Sequence, residues 1–146
     1  MAMETWQENE IKKEYLNGYR RARQREKRIL EQIQQLRMDK MFPYLQNDGL
    51  PRGSRQTDMS DYAARLEELI EELKEERLKC AEEQEKIKKS ILSVKNDEEQ
   101  EVLEWRYLLN KSWEEIAKTM NYSRRYILKI HGRALKNFKI PKEDTK

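Results

Sequence analysis

At 146 residues the chain has room for one or two small domains, and its 40% charged and 36% hydrophobic residues are too polar a mix for a thick globular core. Glu, Lys, Leu, Arg and Gln dominate and the apolar residues recur periodically, which points to an all-α protein of long amphipathic helices rather than to disorder. A single cysteine (Cys80) excludes an internal disulfide or a Cys-rich zinc site, a single histidine (His131) argues against a His-based metal centre, and the net charge of +3 leaves electrostatic recognition to local clusters.

Thr5 to Met41 reads as one polar helix. Tyr15, Ala22, Ile29 and Leu36 repeat every seven residues, Tyr19 and Ile33 fill alternate seam positions, and Glu26 interrupts them. A stripe this narrow covers one side of a helix, as a coiled-coil partner requires. Gly18 weakens such a helix by about 1 kcal/mol without having to break it. Residues 42–57 concentrate the breakers Pro43, Gly49, Pro51 and Gly53 and read as a long loop.

A second helix is expected from Ser60 to Val94, on the register Leu66, Leu73, Cys80, Ile87, Val94, supported by Tyr62, Leu69, Ile70 and Ile91. The two long helices then fold back on each other as an antiparallel hairpin. Charge agrees: residues 20–28 hold six Arg or Lys and one Glu, residues 61–76 seven acids and two bases, and folding near residue 50 sets the blocks opposite. The basic run reads as a solvated face paired with those acids, and the paired glutamates from Glu67 to Glu76 as solvated positions rather than catalytic carboxylates. Arg52 and Arg55 belong to the loop.

Beyond Val94 three shorter helices fit. Asp97 caps the first, which turns Val102, Leu103, Tyr107 and Leu108 inward. Ser112 to Glu115 form a capping box that opens the second, with Ile116, Ala117 and Met120 as its inner face. Asn121 and Tyr122 make the turn, and Ser123 caps a third helix running to Phe138, with Pro141 past its end. Ile127, Ala134, Leu135 and Phe138 form its buried side. Trp105, Trp113 and His131 are expected to pack, and Cys80 to be an inert small hydrophobe.

From Ser123 to Lys139 the third helix carries Arg124, Arg125, Lys129, Arg133, Lys136 and Lys139 and no acid, whereas residues 98–115 hold six acids and two bases. Charge is segregated inside one small unit, as in a helix that faces phosphate. A capped helix, a turn of three residues and a basic helix about 24 Å long make a helix-turn-helix whose last helix fits a major groove. Its leading turn, Ser123, Arg124, Arg125 and Tyr126, then Leu128 and Lys129, faces the groove, with Arg133 and Lys136 completing the DNA-binding set. Arginine suits this place because its planar fork bonds O6 and N7 of guanine together.

The stretch Val102, Leu103, Arg106, Tyr107, Ser112 to Ala117, Met120, Ser123, Ile127, Arg133 to Leu135 resembles the sigma-70 domain that reads the −35 promoter element, region four. Tyr122 to Arg125 and Ile130-His131 look like phage-encoded transcriptional regulators of the RinA/ArpU kind, and the loop Asp48 to Ser54 is similar to a linker of that group; His131 stands where leucine is common. The resemblance implies promoter binding in late phage or prophage gene expression. No promoter-melting domain is visible, so the chain would recruit the bacterial RNA polymerase or work beside a host sigma factor.

The expected organisation is a helical hairpin at residues 1–95, its loop at 42–58, for dimerisation or polymerase contact, and a DNA-binding domain at 96–140. No catalytic, metal or cofactor residues are visible, and no P-loop, dinucleotide fingerprint or nucleophile–base pair, so an enzyme is not expected. With no apolar run at the start or anywhere long enough to span a bilayer, a cytoplasmic setting in a bacterial host is expected. Two alternatives stand beside this reading: a small terminase-like DNA-recognition subunit, which a large ring oligomer would favour, and a coiled-coil adaptor that binds a host protein.

Overall fold

The computed structural model describes residues 5–41 and 55–142, apart from the side chains of residues 55–58. Its elements are α1 (Thr5–Leu16), α2 (Gly18–Met41), α3 (Arg55–Leu92), α4 (Asp97–Leu103) continuing into a π-helical turn (Glu104–Leu108), α5 (Trp113–Met120) and α6 (Arg124–Asn137), with no strand among the described residues. The all-α class inferred from composition is the observed one.

The helix expected from Thr5 to Met41 is interrupted at one residue, Asn17. Its ladder still crosses the interruption, since the Asn17 amide donates to the Lys13 carbonyl at 2.9 Å and the Arg21 amide to the Asn17 carbonyl at 3.0 Å. At Gly18 an added Cβ would lie 2.7 Å from Oε2 of Glu83, so the missing side chain makes room for that carboxylate. Helix α3 starts at Arg55 rather than Ser60. The last breaker is Gly53, and nothing between Gly53 and Ser60 opposes helix. The rest of the expected loop, Arg52 included, lies outside the described residues.

The chain forms two compact units: Arg23–Cys80, and Met1–Ala22 with Ala81–Lys146. In the first, Ile29 and Ile33 of α2 pack with Leu69 and Leu73 of α3, flanked by Leu36, Leu66 and Ile70. Arg25 Nε meets Glu76 Oε2 at 3.3 Å and Arg77 Nε meets Glu26 Oε1 at 3.4 Å, while the Lys40 ammonium lies 5.7 Å from the Tyr62 ring centroid. Rising numbers on α2 meet falling numbers on α3, so the pair is antiparallel. Glu26, the break in the seam, is answered by Arg77. Cys80 is buried, and burial pushes its thiol up with the Glu26 carboxylate adding to the effect, which suits an inert packing residue.

The second unit gathers α1, the start of α2, the end of α3 and the C-terminal helices. Sequence periodicity assigns residues 1–22 and 81–95 to the hairpin, whereas compactness groups them with α4 to α6. The heptad residues Tyr19, Ala22, Ile87, Ile91 and Val94 are buried here, and so is Leu16, which lies off the stripe. A single-partner stripe cannot account for Leu16, but α1 also meets α6. The Tyr15 hydroxyl lies 3.1 Å from Ser90 Oγ, and the Tyr15 ring stands 6.0 Å from that of Phe138. The Gln100 side-chain amide donates to the carbonyls of Leu92 and Val94 and ties α4 to the preceding turn.

Candidate nucleic-acid interface

Helices α4, α5 and α6 close around Val102, Ile116, Ala117, Ile127 and Ile130, with Trp105, Trp113, Met120 and Tyr126 packed partly against them. The cap of α4 is Asn96 rather than Asp97: its side chain accepts from the Glu99 amide at 3.0 Å. Shifting the cap by one residue places Asp97, Glu98 and Glu99 together in the first turn, where carboxylates complement the exposed amides. The π-helical turn that follows has no sequence signature.

The capping box at α5 is complete. Ser112 Oγ accepts from the Glu115 amide at 3.2 Å, and the Ser112 amide donates to Glu115 Oε2 at 2.9 Å. Past Met120 the chain reverses at Asn121, which adopts the left-handed conformation at φ 59°. The Tyr122 amide returns to the Ala117 carbonyl at 3.0 Å and the Asn121 amide to that of Lys118 at 3.4 Å, the paired bonds of a Schellman ending. Asparagine tolerates this conformation better than most residues. Ser123 then caps α6 by accepting from the Tyr126 amide at 3.1 Å. Three residues, Asn121 to Ser123, thus join α5 to α6.

Two clamps hold α6 in place. Asn137 Nδ2 donates to both carboxylate oxygens of the buried Glu99, at 2.7 and 3.3 Å. At the same end, Lys12 Nζ donates to the Leu135 carbonyl at 2.7 Å and the Lys136 carbonyl at 3.5 Å. An ammonium on the last carbonyls of a helix satisfies orphan acceptors and meets the negative end of the dipole. Burial lowers the Lys12 ammonium from its usual value, with Glu8 opposing and Lys139 adding to the effect.

Ile127, Ile130, His131, Ala134 and Leu135 face inward, and Phe138 is buried just past the last turn. His131 is more buried than a half-buried packing residue, at 6% exposed, because Tyr107 and Trp113 close over it. Opposite this side, Arg125, Lys129, Gly132 and Lys136 are spaced four, three and four residues apart, so they line one outward face. Ser123, Arg124, Leu128 and Arg133 are exposed around it.

Not every predicted contact stands free. Arg124 Nε pairs with Glu114 Oε1 at 2.9 Å, whereas Arg125, Lys129 and Lys136 make no side-chain ion pair or hydrogen bond among the described residues. The Tyr126 ring is half-buried, stacks edge-on against Tyr122 at 4.7 Å and has the Arg133 guanidinium 6.0 Å from its centre. The Tyr122 hydroxyl donates to Glu98 Oε1 at 3.0 Å, a bond that also raises that phenol's pKa. Glu114, Glu98 and Lys12 were invisible as partners in the sequence, because each acts across a helix boundary.

Residues 92–139 match the family model described as Sigma-70, region 4. They form a sigma-70 region 4-like helix-turn-helix domain. The match covers all of α4, α5 and α6 and carries a DNA-binding, transcription-related role that is regulatory rather than catalytic. No curated protein and no solved structure matches the chain. Among the described residues no cluster of His, Cys, Asp and Glu could hold a metal ion, and no helix is long and apolar enough to cross a membrane. The region 4-like domain presents its acid-free helix outward, with the amide-rich end of that helix and Ser123 at its leading edge.

Proposed function

We propose that the chain is a sequence-specific transcriptional regulator, an activator of late genes in a phage or prophage that works with the host RNA polymerase. The carrying observation is the outward face of α6, where Arg125, Lys129 and Lys136 stand without carboxylate partners among the described residues. Cations left unpaired beside a short turn and a capped helix start are placed to meet phosphate, and arginine near the leading turn is placed to read base edges. The phage setting is supported by the Tyr122 to Arg125 and Ile130-His131 resemblance, and the polymerase partner by the region 4 match. The DNA-binding set is Ser123, Arg124, Arg125, Tyr126, Leu128, Lys129, Arg133 and Lys136; Arg125 faces the bases and Lys136 the backbone. The hairpin of α2 and α3 serves as the dimerisation or polymerase-contacting element, since one small domain supplies limited affinity by itself.

A salt titration tests this reading. Affinity for duplex DNA falls by orders of magnitude between about 50 and 200 mM salt if several phosphates are contacted. Replacing Arg124 and Arg125 together with Ala abolishes discrimination between a selected target and random duplex while helicity stays unchanged. Absence of duplex binding even at low salt overturns the reading.

A further inference from the structure

Gly132 is the ninth of the fourteen residues of α6 and lies on its exposed face. Apart from proline no residue favours a helix interior less than glycine, so a mid-helix glycine calls for a local reason. The described residues supply none. A Cβ built at Gly132 meets no atom within 4 Å, and the backbone there is ordinary right-handed helix with no positive φ. Nothing among the described residues fills the space over Gly132, which leaves it open to a partner.

Its surroundings narrow the choice. Lys129 and Lys136 flank Gly132 on the same face, about 10 Å apart along the helix axis, and Arg125 lies two turns toward the leading edge. All three lack carboxylate partners among the described residues. A bare patch of backbone between two uncommitted ammoniums is a saddle. We propose that a sugar–phosphate strand of DNA crosses the recognition helix in this saddle at Gly132, in van der Waals contact with its backbone and held by Lys129 and Lys136 on either side. Any side chain at residue 132 would hold the helix away from the strand and lengthen both ammonium–phosphate contacts. This inference rests on the DNA-binding reading and deepens it, assigning to Gly132 the depth at which the helix sits.

The test separates fold from contact because the two effects have opposite signs. In the full chain, Gly132→Ala and Gly132→Leu improve helix propensity, so the melting temperature rises by a few degrees. Both weaken binding to a mixed-sequence DNA duplex of a few helical turns, by roughly fivefold for Ala and more than about thirtyfold for Leu, through steric misfit. A wild-type chain that binds the duplex while both variants match it within about twofold overturns the close approach at Gly132 and leaves the DNA reading standing. A wild-type chain that does not bind duplex at low salt overturns both.

Discussion

The Tyr107 hydroxyl and His131 Nε2 lie 2.7 Å apart in the interior of the region 4-like domain, with both residues nearly sealed from solvent. Burial pushes the imidazole down to about 4, with the Lys13 and Arg106 charges adding to it, and pushes the Tyr107 phenol up to about 12. Both groups are therefore neutral near pH 7 and share one hydrogen bond, its direction set by the imidazole tautomer. Trp113 completes the pocket, its ring centre 4.6 Å from that of the imidazole in a T-shaped arrangement.

This pair makes domain stability depend on pH. The folded imidazole titrates near 4 and the unfolded one near 6.5, so between those values the unfolded chain binds the extra proton. Stability is intact above about 6.5 and declines as pH falls toward 4, by about 3 kcal/mol in all. Urea midpoints measured from pH 7 to pH 4 should show the decline. In a Tyr107→Phe, His131→Leu double variant this part of the slope should vanish, because no imidazole is left to titrate, and no buried hydrogen-bonding partner is stranded. Equal slopes in the two proteins would mean that His131 is accessible to protons when folded.

The Arg124–Glu114 pair divides the two leading arginines. Both partners are largely exposed, so the pair adds little to stability. Its consequence is for binding. Arg125→Ala should cost duplex affinity and sequence discrimination by about 1–3 kcal/mol, more than Arg124→Ala. Glu114→Gln should free Arg124, remove a repelling charge and strengthen duplex binding severalfold, an effect that fades with added salt. Lys136→Ala should weaken all sequences alike and lower the salt slope by about one. Competition binding at two salt concentrations separates these outcomes, and an inert Arg125→Ala would remove that residue from the interface.

Lys12 links α1 to the far end of the recognition helix. Lys12→Met keeps the aliphatic stem but strands the Leu135 carbonyl, which should cost about 1–3 kcal/mol locally. Hydrogen exchange of the last-turn amides of α6 is the direct readout, and it should quicken roughly tenfold for each 1.4 kcal/mol lost if those amides exchange by local opening. Unchanged protection would show that Asn137 and Glu99 hold this end alone.

Ser112→Ala removes one half of the capping box and leaves the Glu115 amide unanswered. The expected loss is about 1 kcal/mol, seen as a lower urea midpoint, and Ser112→Asp should restore most of it. An Asp variant as unstable as the Ala variant would mean that the serine matters for packing rather than capping.

The α5 and α6 starts were readable from single residues because a cap is a local bond: Ser112 with Glu115, and Ser123 with the Tyr126 amide. The seam residues Ile29, Ile33, Leu69 and Leu73 were readable because seven-residue spacing survives folding unchanged. Asn96 rather than its neighbour Asp97 caps α4, a choice the sequence leaves open because Asn and Asp are almost equal in that role and stand side by side.

Helix content and the cationic character of α6 follow from residues within a few turns of one another, where periodicity and composition act directly; the antiparallel pairing of α2 with α3 is readable because each helix carries its own seven-residue stripe and the breakers lie between them. The docking of Lys12 on Leu135, the closure of Tyr107 over His131 and the capture of Arg124 by Glu114 belong to the tertiary structure alone. Each joins residues on different helices, and no linear pattern marks which lysine meets which carbonyl or which arginine is neutralised before a ligand arrives. The sequence sets how many cations the recognition helix carries, and packing sets which of them remain uncommitted.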